Sequence, residues 1–243
     1  MANTPWLSDQ EDLPNPKTDQ ELDPRFPGLF AITDSLNSKR LQEAYRKGMF
    51  PWYSDDEPVM WWSLQPRMVL ETNRFFVSHS LRKKIKSILS NNDWEIRIDH
   101  NFENIMRNCA KKKRPDQVGT WITDSIIEAY TDLHKQHQAH SIETWYQNKL
   151  VGGLYCVNLG NMVFGESMFS HETDASKLAL AGLCAWAITQ NIRYIDCQQE
   201  TKHLASLGAR PIARNEFLEW IETQIDLPSP TWQFDKYILQ HWL

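Results

Sequence analysis

"HSIETWYQNKLVGGLYCVNLGNMVFGESMF", residues 140–169, holds three strand-like runs, "HSIETWYQ", "LVGGLYCVNLG" and "NMVFGESMF". The first two are joined by a hairpin-like turn at Asn148 and Lys149, and connections this short make the runs an antiparallel meander. Working outward, "DASKLALAGLCAWAITQ" predicts a long helix, "IRYIDCQ" a further strand, "TKHLASLGA" a short helix and "NEFLEWIETQI" a last helical segment. Upstream, Leu81, Ile85, Ile88 and Leu89 lie on one helical face of "SHSLRKKIKSIL", and "HNFENIMRNCAKKKR" reads as a second helix. "TDSIIEAYTDLHKQHQ" is a third, opened by Thr123 or Asp124, with Ser125 and Glu128 in capping-box spacing. Helices, a meander, a helix and another strand predict an α+β domain with one mixed sheet.

Inside the third run, period 2 places Phe164, Glu166 and Met168 on one face. A carboxylate pointing where two large apolar side chains point needs a partner or a chemical task. The same alternation in "YIDCQ" sets Tyr194, Asp196 and Gln198 on one face, with Asp196 and Gln198 about 7 Å apart at their Cα atoms. An ionised Asp196 accepting from the Gln198 amide would turn the amide oxygen outward as an oriented acceptor; a core network with Tyr194 is the structural alternative.

The N-terminal part differs in composition. "SKRLQEAYRKGMFPWY" reads as a short helix with Ser38 as N-cap, Gly48 just past its end and Pro51 as a stop. After about residue 66 a tryptophan- and proline-rich segment gives way to alternating helices and strands. A boundary is expected there, with a small domain over 1–66 and a larger one over 67–243. The first two dozen residues, polar, acidic and proline-punctuated, read as disordered.

Composition excludes several classes. The chain has 243 residues and a net charge of −5, against a general nucleic-acid coat protein, although "RKKIK" (82–86) and "KKKRP" (111–115) are basic clusters able to meet phosphate. The alternative is a solvated helix face or helix end. No apolar run approaches membrane-spanning length and no signal peptide opens the chain, so a cytoplasmic protein without a membrane partner is expected. Cys109, Cys156, Cys184 and Cys197 lack zinc spacing and suit reduced, packed thiols. His134, His137 and His140 would spread over about 120° of a helix with no completing ligand, so no metal is expected. There is no nucleophile elbow, P-loop or dinucleotide fingerprint. Trp occurs 11 times; Tyr45, Trp52, Trp121 and Tyr130 sit beside turns or helix ends, as stacking platforms for unpaired bases or as rings at a domain interface.

"AYRKGMFPWY", "WWSLQPR", "GTWIT", "AHSIETW", "LVGGLY", "FGESMFS", "DASKLAL", "IDCQ" and "HLASLGA" occur in the order and spacing of one family. From about Leu29 to Phe217 the chain resembles the leucyl/phenylalanyl-tRNA–protein transferases. The resemblance implies a small N-terminal domain on a C-terminal acyltransferase domain of the GNAT type. It implies movement of Leu or Phe, less readily Met, from tRNA to proteins beginning with Arg or Lys, which marks them for N-degron degradation. No cofactor or DNA partner and a monomeric state go with it. Carried over by position, Glu166 and Gln198 are the central polar pair, with Asp196 holding Gln198. Tyr45, Trp52, Trp121 and Tyr130 fall around the terminal adenosine, and Leu154, Met168, Leu180, Leu183 and Ile195 line the aminoacyl pocket. Arg82, Lys83, Lys84, Lys111, Lys112, Lys113 and Arg114 are the candidates for the tRNA backbone. Two departures are visible: "FAITDSLNS" replaces a glycine-bearing loop, and Cys156 stands where a Gly commonly follows "GGLY".

Three other readings stay open. An acyl-CoA N-acetyltransferase would share the fold but needs a glycine-rich pyrophosphate turn that is missing. An RNA-binding module leaves Asp196 and Gln198 without a purpose. An adaptor protein fits poorly with polar groups embedded in strands.

Overall fold

The computed structural model describes residues 4–18, 23–54, 56–90, 93–112 and 121–243. In chain order the first elements are β1 (Trp6–Leu7), β2 (Leu29–Thr33), α1 (Ser38–Arg46), β3 (Phe50–Pro51), β4 (Val59–Trp62) and β5 (Arg67–Glu71). After a 3₁₀ turn (Thr72–Arg74) come α2 (His79–Ser90), β6 (Trp94–Ile98), α3 (Phe102–Lys111), α4 (Asp124–Lys135), β7 (Ala139–Tyr146), β8 (Lys149–Leu159) and β9 (Met162–Ser170). The chain then forms α5 (Ala175–Thr189), β10 (Tyr194–Gln198), α6 (Lys202–Ser206), β11 (Arg210–Ile212), α7 (Arg214–Gln224) and a terminal 3₁₀ segment (Lys236–Trp242).

The strands form two sheets, a four-stranded one ordered β1-β2-β4-β3 and a seven-stranded one ordered β11-β5-β10-β9-β8-β7-β6. The larger is mixed: β10 runs parallel to β9 and antiparallel to β5, and the remaining pairs are antiparallel. This is the mixed sheet expected from the sequence. The β7–β8 turn, however, is Gln147–Asn148, one residue earlier than expected. Both residues have positive φ, 47° and 61°, as the two-residue turn that matches strand twist requires, and Lys149 already pairs with Tyr146.

Helix starts follow cap chemistry more closely than the apolar pattern. Asn37, not Ser38, caps α1 by accepting from the Arg40 N–H, and Thr123 caps α4 by accepting from Ile126, so the Ser125/Glu128 box is not used. Strands β5, β6 and β11 and the whole small sheet carry no clear period in the sequence. In β6 the alternation of Trp94, Ile96 and Ile98 is only three residues deep.

Helix α5 is apolar around most of its circumference because it is buried on most sides, with eleven residues from Ala175 to Ala187 inside. With α2 and the terminal 3₁₀ segment it covers one face of the large sheet, through Leu154, Cys156, Val163 and Ile195. The other face, through Tyr155, Val157 and Phe164, is covered by α3, α4, α7 and the N-terminal part. The sheets change between Trp62 and Arg67, while Leu41, Tyr45 and Trp61 share a core with Ile126, Phe164 and Phe217. The described N-terminal residues are ordered against this core, correcting the expected disorder. Strand β1 pairs parallel with β2, Leu13 is buried, and its N–H donates to Glu43 Oε1 at 2.6 Å. Residues 1–3 and 19–22 lie outside the described residues.

The two glycines of "LVGGLY" let helices approach both faces of β8. A β-carbon on Gly152 would lie 2.6 Å from Ala175 Cβ at the start of α5, and one on Gly153 would lie 2.8 Å from Ile105 Cδ1 on α3. The G152A variant is expected to lose about 1–3 kcal/mol of stability by overpacking, measured by urea denaturation.

Candidate active site

Strand β9 carries a defect where the site lies. Tyr155 pairs with Ser167 and Cys156 with Gly165, which leaves Glu166 as the extra residue of a β-bulge. The bulge overturns the expected alternation. Phe164 packs against Tyr45 on one face, ring centroids 4.8 Å apart, while Met168, partly buried, packs against the core on the other. Glu166 sits at the step between them, partly open to a cavity.

Next to it, the parallel ladder of β9 and β10 is only two pairs long, Ile195 with Val163 and Asp196 with Phe164. Beyond it the strands part. Gln198 turns into the left-handed region, φ 55°, where the register with β5 also shifts. Asp196 is fully buried and bound by the equally buried Arg67, Nε to Oδ1 at 2.8 Å and Nη2 to Oδ2 at 2.6 Å. The guanidinium is flanked by the rings of Phe50 and Phe217, at 4.9 and 4.5 Å. Asp196 also accepts from the Gln198 backbone N–H at 3.0 Å, whereas the Gln198 side-chain amide donates to Glu166 Oε1 at 3.0 Å. The expected amide-to-Asp196 bond is therefore corrected: Asp196 fixes the backbone, and Glu166 orients the amide. Sequence reasoning missed Arg67, although a buried Asp demands a cation and Arg67 opens the apolar run "RMVLE".

Tyr45 on α1 and Tyr130 on α4 converge on Glu166. Their hydroxyl oxygens are 2.5 Å apart, with Tyr45 2.7 Å from Oε1 and Tyr130 3.2 Å from Oε2. Both rings are fully buried, so the expected open stacking faces are not found at these two positions. Burial, and then the neighbouring Glu166, push both phenols well above their ordinary range. Burial also raises Glu166 from 4.5 to about 8, against the hydrogen bonds from Tyr45 and Tyr130, with Asp196 pushing the same way as burial and Arg67 opposing it.

A cavity of about 700 Å³ opens over this network. All five expected pocket residues, Leu154, Met168, Leu180, Leu183 and Ile195, line it, as do Glu166, Gln198, Trp52 and Trp121; Asp196, Tyr45 and Tyr130 lie behind the wall. Lys112 also lines it and donates to the Met168 carbonyl at 3.3 Å. His203, on the rim, has its pKa lowered by burial and by the charges of Lys112 and Lys177. Lys111 ends α3 beside Lys112, and Lys113 and Arg114 lie outside the described residues. Arg82, Lys83 and Lys84 stand on α2, across the sheet from α3. Cys197 shares the cavity wall, its thiol pushed far up by burial and by Asp196. Among the described residues no group of three or more His, Cys, Asp or Glu side chains could hold a metal ion.

Comparison with known proteins gives the chain its family. A family model described as leucyl/phenylalanyl-tRNA protein transferase matches residues 69–222, and one described as the N-terminal domain of that family matches residues 34–65. The leucyl/phenylalanyl-tRNA–protein transferase of Cupriavidus necator is 52% identical over 240 residues, covering 98% of this chain and 95% of its own. The enzyme of that name from Ralstonia pickettii is 50% identical over 240 residues, covering 98% and 96%. Among solved structures, a GCN5-related N-acetyltransferase-like protein from Streptococcus suis aligns over 61% of this chain and 58% of its own, with 18% identity and a TM-score of 0.31. L-PGS from Bacillus licheniformis aligns over 68% and 53%, with 10% identity and a TM-score of 0.37.

These matches make the protein an aminoacyltransferase, acting from tRNA to protein. The chain belongs to the leucyl/phenylalanyl-tRNA protein transferase family.

Two outcomes test the site's electrostatics. R67M leaves Asp196 buried and unpaired and is expected to cost about 3–5 kcal/mol, part of which returns in R67M/D196L; urea denaturation of the single and double variants measures both. For Glu166, the native state holds its proton to about pH 8 while the unfolded chain releases it near 4.5. The native state then binds more protons across that window, so this group makes stability fall as pH rises through it and level off above. Relative to E166Q, wild-type unfolding free energy should decline from about pH 4.5 to about pH 8 and then run parallel.

Proposed function

We propose that the chain moves Leu or Phe, and less readily Met, from the 3′ end of tRNA to the N-terminal Arg or Lys of acceptor proteins, which marks them for N-degron degradation. The observation that carries this reading is the apolar cavity with Glu166 and Gln198 at its inner wall, their side chains 3.0 Å apart. Leu154, Met168, Leu180, Leu183 and Ile195 would take the aminoacyl side chain, and Glu166 its α-ammonium group. Trp52 and Trp121 on the same cavity would stack the terminal adenosine, with Tyr45 and Tyr130 supporting from behind Glu166. Lys112, with Lys111, would meet backbone phosphate, and Arg82, Lys83 and Lys84 would meet it only where the RNA reaches the other face of the sheet. The same reading makes the part from Arg67 onward a GNAT-like acyltransferase domain carrying a small N-terminal domain.

The chemistry is aminolysis of an ester. The acceptor's neutral amine attacks the carbonyl carbon, the new C–N bond forms, the C–O bond to the ribose breaks, and the amine's proton and the ribose alkoxide leave as a hydroxyl. An N-terminal amine has a reference pKa of about 7.7–8.0, so much of it is already the nucleophile near neutrality. Holding amine and ester together then supplies most of the acceleration, with effective molarities on the order of 10⁵ M available to well-oriented pairs. Because the Gln198 amide N–H₂ is held by Glu166, its oxygen is left to accept from the attacking amine. Asp196 has both oxygens committed to Arg67 and to the Gln198 N–H, which suits a positioning residue and not a base.

The test is transfer of radiolabelled Leu or Phe from tRNA to a protein beginning with Arg. Wild type should transfer, Q198A should fall about 10²-fold in kcat/KM, and absence of transfer from Leu, Phe or Met donors would reject the reading. D196N should lower the rate while leaving the shape of the pH–rate profile unchanged; a lost limb would make Asp196 a proton acceptor.

A further inference from the structure

The contacts around Glu166 need more protons than the two phenols supply. Tyr45 and Tyr130 oxygens lie 2.5 Å apart, Tyr45 lies 2.7 Å from Oε1, and Tyr130 lies 3.2 Å from Oε2. Two short edges and one longer edge close a triangle, and each phenol can donate only once. With Glu166 ionised, two phenol protons cover only two of the three edges: both turned to the carboxylate leave lone pairs facing across the 2.5 Å edge, and Tyr130 turned to Tyr45 leaves lone pairs facing across the 3.2 Å edge to Oε2. A third proton, on Oε2, resolves the count. Oε2–H then donates to Tyr130, Tyr130 donates to Tyr45, and Tyr45 donates to Oε1. The unequal surroundings of the two oxygens agree with this placement. Oε1 takes two donors, Tyr45 at 2.7 Å and the Gln198 amide at 3.0 Å, while among the described residues Oε2 has the longest contact alone.

We propose that Glu166 is a neutral carboxylic acid in the ligand-free site, its proton closing a ring with Tyr45 and Tyr130, and that an ammonium group entering the cavity drives this proton out to solvent. The second half rests on the cavity being the aminoacyl site. Among the described residues no cation is paired with Glu166, and Lys112 on the same cavity donates to the Met168 carbonyl. From β10 Glu166 meets the charge of Asp196, from β5 that of Arg67, which Asp196 already neutralises, and from β8 the uncharged Cys156 and Tyr155. Burial pushes the same way, raising the carboxyl to about 8. When a substrate ammonium supplies the missing charge, the carboxylate forms, both phenols can donate to it, and the Tyr45–Tyr130 edge opens. Tyr45 and Tyr130 thereby become positioning residues that set the protonation of Glu166.

Infrared difference spectra between the full-length wild type and E166Q, taken across pH, follow the carboxyl directly. A protonated-carboxyl band belonging to Glu166 should be present at about pH 6 and titrate away near pH 8. Phenylalaninamide should abolish the band near neutrality, whereas hydrocinnamamide, the same molecule without the ammonium, should leave it, with occupancy followed by tryptophan fluorescence. Y45F removes a donor to the carboxylate and should move the midpoint upward, which a purely structural tyrosine would not do. A midpoint in the ordinary carboxylate range overturns the ring. A band that survives bound phenylalaninamide, or a failure of that probe to bind, overturns the coupling while leaving the ring. Absence of transfer from Leu-tRNA and Phe-tRNA would strike at the functional reading instead, since the free-protein titration does not depend on it.

Discussion

The buried pair of Arg67 and Asp196 ties two strands of the large sheet to the small sheet and to α7 beside the cavity. Arg67 comes from β5 and Asp196 from β10, while the aromatic rings that sandwich the guanidinium come from β3 of the small sheet and from α7. Taking two charges out of water is costly, and an apolar pair of similar size would often be at least as stable. What an apolar pair could not do is accept from the Gln198 N–H and hold that residue at positive φ, past the end of the parallel ladder. The pair is thus a device for geometry. It keeps β10 turning away from β9 where the cavity needs a gap.

Two carboxylates at the same end of one strand pair are given opposite surroundings. Asp196 has a bidentate cation and a backbone N–H, and no cavity exposure. Glu166 has phenols and an amide, all neutral, and faces the cavity. Such a separation of environments assigns separate roles: one charge is fixed and structural, the other responds to what enters. The bulge makes this possible, because a regular β9 would have sent Glu166 and Met168 to the same face and lost either the carboxylate network or the pocket wall.

Much of this was legible from residue order. The meander and the α5–β10 unit follow from period and spacing, while the apolar residues around Glu166 come from the family resemblance, whose motifs converge on the same cavity. Four features were not legible, each for a physical reason. A bulge adds one residue without changing composition, so alternation gave the wrong face for Met168. Arg67 and Asp196 are 129 residues apart, and nothing local marks the cation that a buried Asp must find. Tyr45 and Tyr130 read as residues near helix ends, yet Tyr130 sits in the middle of α4 and Tyr45 in the last turn of α1, both on faces packed into the core. The turn at Gln147–Asn148 was displaced because positive φ, not polarity, selects the turn residues.

The basic clusters show the same limit for charge. A run of like charges in sequence is not a patch in space. On α2, Arg82 donates to the carbonyls of Trp242 and Leu243, and Lys84 donates to the Thr173 carbonyl while lying 4.3 Å from the Trp94 ring centre. These cations hold the C-terminal segment and the loop before α5, on the face of the sheet opposite α3. Lys112 instead lines the cavity, and its field, with that of Lys177, reaches His203 on the rim. A polyanion approaching an overall negative chain is steered by local fields of this kind, since focusing depends on where the charge sits relative to the cleft. The net charge of −5 therefore says little about whether an RNA end is drawn to the cavity, and the rim says a good deal.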